Sequence, residues 1–315
     1  MSTIDTIMAA PRLWLTDGGM ETWLFFQQGF SAPEFAAITL IEDAPAVAAM
    51  ERYFEEFLGM AEAAGTGFVL DTCTWRGAEC WAGPLDMTGE ELLRLNARAV
   101  ELAAGLRQRW SGRVGNIALN GVIGPVGDGY APGKLPTVEE ARDLHRSQIV
   151  TLAEAGVDML SALTMTNVAE AIGVVLEAKA VGLPVVISFT VETDGSLPTG
   201  GALGEAIAAV DAATGNYPAW YMINCAHPDH FRDAIAAGEG WTKRIGGLRA
   251  NASRMSHEEL DNADELDDGD PVEFGALHGE LAGMLPDLHV VGGCCGTDHR
   301  HVRCVTEHLH IPQAA

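Results

Sequence analysis

One alternation runs almost the whole length of this chain and constrains its fold more than any single motif. Short apolar, β-branched runs at 12–17, 67–74, 116–124, 157–165, 184–192, 219–225, 244–252 and 288–294 predict eight strands. Between them lie longer segments, such as 44–65, 89–110 and 137–156, whose apolar residues recur at helical spacing. The last three strands are followed by similar segments at 228–238, 270–285 and 298–309, and several segments end in Gly, the usual helix stop. Unbroken strand-then-helix units read as parallel βαβ connections. Eight of them in 315 residues match a (β/α)8 TIM barrel, which typically needs about 250. A doubly wound open sheet is the runner-up. Against it, no G-x-G-x-x-G opens a helix after the first strand, and there is no G-x-x-x-x-G-K-[ST] phosphate loop. With no Pro/Ser-rich linker, residues 1–315 are expected to form a single domain.

Composition narrows the partners. The chain is 48% hydrophobic, yet no apolar run reaches the ~20 residues that span a bilayer. The first residues lack the basic and apolar regions of a secretory signal, so the expectation is a soluble, cytoplasmic protein. A net charge of −25, from 44 Asp+Glu against 19 Lys+Arg, repels phosphate backbones and anionic lipid. Neither nucleic acid nor membrane is an expected partner. The acidic stretch 258–270 reads as a solvated loop.

In such a barrel the active site sits at the C-terminal ends of the strands. Half of the six cysteines fall there: Cys225 at the end of strand 6, and Cys294 and Cys295 at the end of strand 8. Six cysteines in a cytosolic chain are not expected to form a disulfide framework, and adjacent cysteines pair poorly with each other. Three thiols at one rim suit a metal ion, Zn²⁺ first, with a fourth coordination position left open. Neighbouring strand residues face opposite ways, so Cys294 and Cys295 can share an ion only if the strand breaks. Gly292, Gly293 and Gly296 are the residues expected to permit that break. Three thiolates leave a zinc site at about −1, a weak Lewis acid toward water but suited to binding a thiol as its thiolate. The inferred task is activation of a substrate thiol.

These residues resemble the homocysteine S-methyltransferase family, and the likeness covers nearly the whole chain. The family's D-G-G-M opening appears as Asp17-Gly18-Gly19-Met20 and its G-x-I-G-P segment as Gly121 to Pro125. Its S-F-T strand is Ser188-Phe189-Thr190, its N-C element Asn224-Cys225, and its G-G-C-C-G-T element Gly292 to Thr297. The resemblance implies a zinc-dependent (β/α)8 barrel that moves a methyl group from a sulfonium or ammonium donor to homocysteine, giving methionine. It implies Cys225, Cys294 and Cys295 as catalytic zinc ligands and substrate contacts from Asp17, Gly18, Gly19, Thr164 and Asn224, to which Glu21 is added as a candidate contact of this chain's own. The implied partners are a small thiol acceptor and a donor such as S-methylmethionine or S-adenosylmethionine; the sequence leaves oligomeric state open, a homo-oligomer included. Three positions depart from the family. Leu163-Thr164 replaces the usual Glu-Thr, whose glutamate holds the substrate's ammonium; Thr72-Cys73-Thr74 replaces T-N-T; and Glu21 stands where Gly is common. The acceptor is therefore either homocysteine or a differently shaped thiol, and any ammonium partner would have moved to Glu21 or Glu192.

Other candidates have plainer readings. Cys73, Cys80 and Cys304 are expected to be structural thiols. His227 and His299 sit where helices begin, beside Asp229 and Asp298, which suit caps or first turns. Trp75, Tyr130 and Tyr221 are expected near the rim, as core filling or as faces for a cationic donor. A hydrolase using zinc-bound hydroxide would favour His/Asp ligands. A non-catalytic zinc or thiol sensor is the other rival, and the open fourth position argues against it.

Overall fold

Every expected strand forms inside its sequence window in the computed structural model, which describes residues 2–237 and 240–309. The strands are β1 (Trp14–Leu15), β2 (Phe68–Asp71), β3 (Ile117–Ile123), β4 (Met159–Met165), β5 (Val185–Phe189), β6 (Tyr221–Asn224), β7 (Ile245–Ala250) and β8 (Val290–Gly293). Neighbours pair in parallel and in chain order, and β1 also pairs with β8, which closes the sheet into a barrel. The open-sheet alternative is excluded. Most strands are buried along their full length, because helices cover one face and barrel-interior side chains the other. That is why they read as continuous apolar runs rather than alternating ones.

The covering helices are Ala44–Ala64, Gly89–Trp110, Val138–Ala155, Val168–Val181, Leu203–Thr214, Pro228–Ala236, Pro271–Met284 and His299–His308. Local chemistry sets their ends. Thr88 and Thr137 form capping boxes with Glu91 and Glu140, each satisfying two otherwise orphaned N–H groups. Gly65, Gly156, Gly182 and Gly215 close four of the helices in the left-handed conformation, where a Cβ would be strained.

The larger apolar core lies between strands and helices. A second, smaller one fills the barrel with Trp14, Val69, Val122, Met159, Leu163, Val186, Met222 and Val290. The N-terminal helix Thr3–Met8 adds Ile4 and Ile7 to it. Trp14 has room only because residue 67 is glycine: a Cβ there would lie 2.3 Å from the indole. The opposite end is left to the loops after β1, β3 and β7, which rise around the strand ends. Among the described residues, no helix is long and apolar enough to cross a membrane.

Candidate metal centre and active site

The strand ends deliver the three expected cysteines to one place. Beyond Gly293 the chain leaves the barrel wall in a tight turn: the Thr297 amide (3.1 Å) and hydroxyl (2.8 Å) both donate to the Cys294 carbonyl. Gly296, at φ +78°, supplies the left-handed residue of that turn. Gly292 and Gly293 act differently from expectation. They stay in β8, and their role is space, because a Cβ on Gly293 would lie 2.0 Å from Thr297 Oγ1. Cys225 follows β6 with φ +54°, an uncommon conformation for a residue with a Cβ. As a result the Sγ atoms of Cys225, Cys294 and Cys295 all lie within 4.8 Å of one another.

Two of these sulfurs, Cys225 and Cys294, are joined as a disulfide, with Cα atoms 5.4 Å apart. Cys295 is a free thiol whose Sγ is 3.7 Å from that of Cys225. The pair joins two strand ends rather than the adjacent Cys294 and Cys295, and it takes up two of the three expected metal ligands. The physical reason is proximity: side chains placed to share one ion are also placed to oxidise together. The trio fits a metal as well. Thiolates ~2.3 Å from one tetrahedral ion stand ~3.8 Å apart, close to the separation of Cys225 and Cys295. Burial pushes the Cys295 thiol up to about 11, so it ionises near neutrality only with a cation beside it.

Buried polar groups hold this arrangement. The Asn224 carbonyl oxygen accepts from the Thr164 amide (2.9 Å) and the Ser188 hydroxyl (2.6 Å). Its amide donates to Thr164 Oγ1 (2.9 Å) and points at Cys294 Sγ (3.7 Å). These bonds hold Thr164 at φ +60°, where a β-branched residue is strained by about 1–3 kcal/mol. On the other side, His257 Nε2 lies 3.0 Å from the Cys225 carbonyl and Nδ1 lies 3.0 Å from Glu192 Oε1. The His257 ring stacks on Tyr130 with centroids 4.0 Å apart, and the Tyr130 hydroxyl faces Cys295.

Above the sulfurs lies a cavity of about 360 Å³. Its walls include Asp17, Gly18, Gly19, Glu21, Thr164 and Asn224 with the three cysteines, so all the residues expected at the site meet there. One side is a buried ionic cluster. Arg249 pairs with both Asp17 and Asp71, and its Nε donates to the Gly293 carbonyl (3.1 Å). Asn120 donates to Asp71 (2.7 Å). Burial, with Asp71 sharing the same guanidinium, pushes the Asp17 carboxyl up to about 7.

This geometry has known counterparts. A family model described as homocysteine S-methyltransferase matches residues 14–309. The chain belongs to the homocysteine S-methyltransferase family. It is therefore a methyltransferase, built on the family's barrel. Homocysteine S-methyltransferase 1 of Arabidopsis thaliana is 25% identical over 327 residues, covering 97% of this chain and 96% of that protein. The protein of the same name from Brassica oleracea var. italica is 26% identical over 323 residues, covering 94% and 93%. Among solved structures, the metallated form of the homocysteine methyltransferase MmuM from Escherichia coli superposes with a TM-score of 0.71 at 19% identity, covering 94% of this chain and 96% of that one. Its oxidised form gives 0.69 at 20% identity, covering 94% and 95%.

Within this family member several expected roles shift. The Gly19 amide is already spent on the Thr297 carbonyl (3.0 Å), so it has no N–H to offer a carboxylate. Asn224 is likewise consumed in holding Thr164 and Cys294. The acidic stretch 258–270 is no free loop: Leu260, Asp261, Ala263, Glu265, Leu266 and Asp267 form a wall of the cavity. Tyr221 points away from the rim, and its hydroxyl donates to Asp211 (2.8 Å). His227 caps the helix Pro228–Ala236, and burial pulls it down to about 4. His299 pairs with Glu56 (3.0 Å), and Glu192 is engaged by His257. None of these three lines the cavity. Cys73 is a buried thiol pushed up to about 12 by desolvation. Sequence reasoning missed Arg249, Asp71 and His257. A charged residue inside an apolar strand was the one available signal, and only for Arg249 and Asp71.

Proposed function

We propose that this chain is a zinc-dependent S-methyltransferase that moves a methyl group from a sulfonium or ammonium donor to a thiol acceptor, homocysteine by default, giving methionine. The observation that carries the reading is three sulfurs on the floor of a cavity lined by eight carboxylates and two guanidiniums. Cys225, Cys294 and Cys295, once reduced, would hold the zinc, which keeps an incoming thiol ionised at neutral pH. The chain's own residues supply the rest. The acidic walls concentrate a cationic donor over the floor. The faces of Trp75 and Tyr130, both in the cavity wall, add about 0.5–2 kcal/mol of attraction to such a cation. Asp17, Gly18, Glu21 and Thr164 are left to shape the acceptor's seat. Orienting the two reactants in one closed space supplies about 7–11 kcal/mol of the barrier reduction.

A second reading keeps the chemistry and changes the acceptor to another thiol. It is favoured by Leu163, an apolar residue in the cavity wall at the place where the family resemblance implies a glutamate. The test is transfer of labelled methyl from S-methylmethionine to a panel of thiols by reduced, zinc-loaded protein. Product formation abolished by Cys225→Ala supports the proposal. Hydrolysis of an ester without any thiol acceptor, or zinc binding with no product from any pair, would overturn it.

A further inference from the structure

We propose that Arg76 is a positioning residue of the donor seat: its guanidinium sets three aromatic side chains of the cavity wall, Phe35, Trp75 and Tyr130, and through them the affinity for a cationic donor. This rests on the methyltransferase reading above. Arg76 follows β2 and is only 6% exposed, so its hydrogen bonds and its charge are met inside the protein. A guanidinium can serve several neighbours at once, because it is planar, stacks on rings and carries five donors in a rigid fork. Its central carbon lies 3.7 Å from the centroid of the Trp81 ring and 4.5 Å from that of Trp75. Nε donates to the Glu34 carbonyl in the loop after β1 (3.0 Å). Two contacts reach the loop after β3: Nη1 donates to the Gly127 carbonyl (3.3 Å), and Nη2 pairs with the Asp128 carboxylate (3.6 Å).

Each attachment places one ring. Glu34 and Phe35 are consecutive non-glycine residues in the left-handed region, at φ +52° and +53°. Such backbone persists only where its surroundings over-determine it. Among the described residues, the bond from Arg76 is the only hydrogen bond that ties residues 28–36 to another loop. The segment it holds presents Phe35, 47% exposed, with its ring 5.2 Å from Phe25 and 6.3 Å from Phe26, and both Phe26 and Phe35 stand in the cavity wall. In the loop after β3, Asp128 Oδ1 accepts from the amides of Tyr130 (2.7 Å) and Ala131 (2.9 Å), so the carboxylate that Arg76 holds also sets the turn carrying Tyr130. Trp75 is held by the stacking itself, and its Nε1 reaches the Leu163 carbonyl (3.4 Å). Aromatic faces attract an onium cation, whereas the acceptor's sulfur belongs on the floor, which none of these Arg76 contacts reaches. The sign of the charge separates positioning from direct contact. A guanidinium repels a cationic donor, so if charge alone mattered, removing it would tighten donor binding. Losing the aromatic arrangement weakens it.

The experiment measures kcat and the KM values for S-methylmethionine and homocysteine on reduced, zinc-loaded protein: the natural chain, Arg76→Gln, Arg76→Lys, Phe35→Ala and the double variant Arg76→Gln/Phe35→Ala. Arg76→Gln is expected to raise the donor KM by about tenfold, the size of one good aromatic contact to a cation, with kcat and the acceptor KM within about threefold. Arg76→Lys keeps a charge for Asp128 but loses the flat stacking and the fork, and is expected to fall between. Phe35→Ala is expected to raise the donor KM by about threefold on its own. In the Arg76→Gln background it should add almost nothing, because the ring it removes is already misplaced. A donor KM that is unchanged or lower in Arg76→Gln overturns the assignment. So does an equal rise in both KM values, which a general loss of structure would give. A second readout needs no turnover: trimethylsulfonium is titrated against intrinsic tryptophan fluorescence with no thiol present. The natural chain is expected to saturate, and Arg76→Gln and Phe35→Ala to bind more weakly. If no thiol is methylated, the proposed function falls, while this titration still decides the role of Arg76. No saturable response in the natural chain, or equal affinity in Arg76→Gln, overturns it. Where Arg76→Gln does not fold, Arg76→Lys and Phe35→Ala decide by the same criteria.

Discussion

The buried cluster around Arg249 gives the sharpest test of how the barrel supports its site. Arg249, Asp17 and Asp71 are 6%, 3% and 6% exposed, and the single guanidinium compensates both carboxylates. Arg249→Met keeps much of the length and the apolar stem but removes the charge. Breaking a buried ion pair by deleting one partner costs about 3–5 kcal/mol, because the remaining charge is left uncompensated. That is a large share of the roughly 5–15 kcal/mol that holds a folded protein together. At about 2–4 °C per kcal/mol for a chain of comparable size, Tm should fall by about 6–20 °C near pH 7.5. The pH dependence carries the diagnosis. Burial already holds the Asp17 carboxyl at about 7 instead of its ordinary 3.8, and removing Arg249 pushes it higher. A carboxyl whose native pKa exceeds its unfolded value binds more protons folded than unfolded, so stability falls as pH rises between the two values. The Tm deficit of Arg249→Met relative to the natural chain should therefore shrink near pH 5, and Arg249→Met/Asp17→Asn should recover part of it at pH 7.5. The assay is thermal unfolding by circular dichroism across that range. A deficit under about 1 °C at pH 7.5, or one that widens on acidification, would refute the claim that charge compensation, rather than shape, is what Arg249 supplies.

Two further outcomes follow from the sulfurs and their supports. Unreduced protein, unfolded in denaturant, should titrate four free thiols and six after reduction, because only Cys225 and Cys294 are paired; six from the start would contradict that pairing. Asn224→Ala removes the partners of Thr164 and Ser188, leaving buried groups unsatisfied at about 1–3 kcal/mol, and frees Cys294 from its amide. It should lower Tm by several degrees and speed loss of zinc to a chelator, and Thr164→Gly in the same background should recover stability by relieving the left-handed strain; zinc retention equal to that of the natural chain would rule out the positioning role.

What the sequence disclosed and what it hid divide along a physical line. The strands were legible because helices and barrel interior bury both their faces, leaving uninterrupted apolar runs such as 67–74. The trio was legible because cysteine is rare here and each member follows a strand. Arg249 was not, since its partners Asp17 and Asp71 lie 232 and 178 residues away and no local pattern links them. His257 lies beyond any strand end and acts only through the Cys225 carbonyl and the Tyr130 ring. The disulfide depends on oxidation state, to which a sequence is blind. The acidic stretch 258–270 is the instructive error. Its charge suggested a solvated loop, yet charge alone does not separate a surface that repels phosphate from a wall that gathers cations. The discriminating feature was apolar: Leu260 and Leu266, half-buried between the acids, give the loop something to pack with. A purely solvated loop has no use for them. An acidic stretch interrupted by leucines, placed after a strand of a barrel, is better read as one side of a pocket, and its carboxylates then bear on which ligand enters.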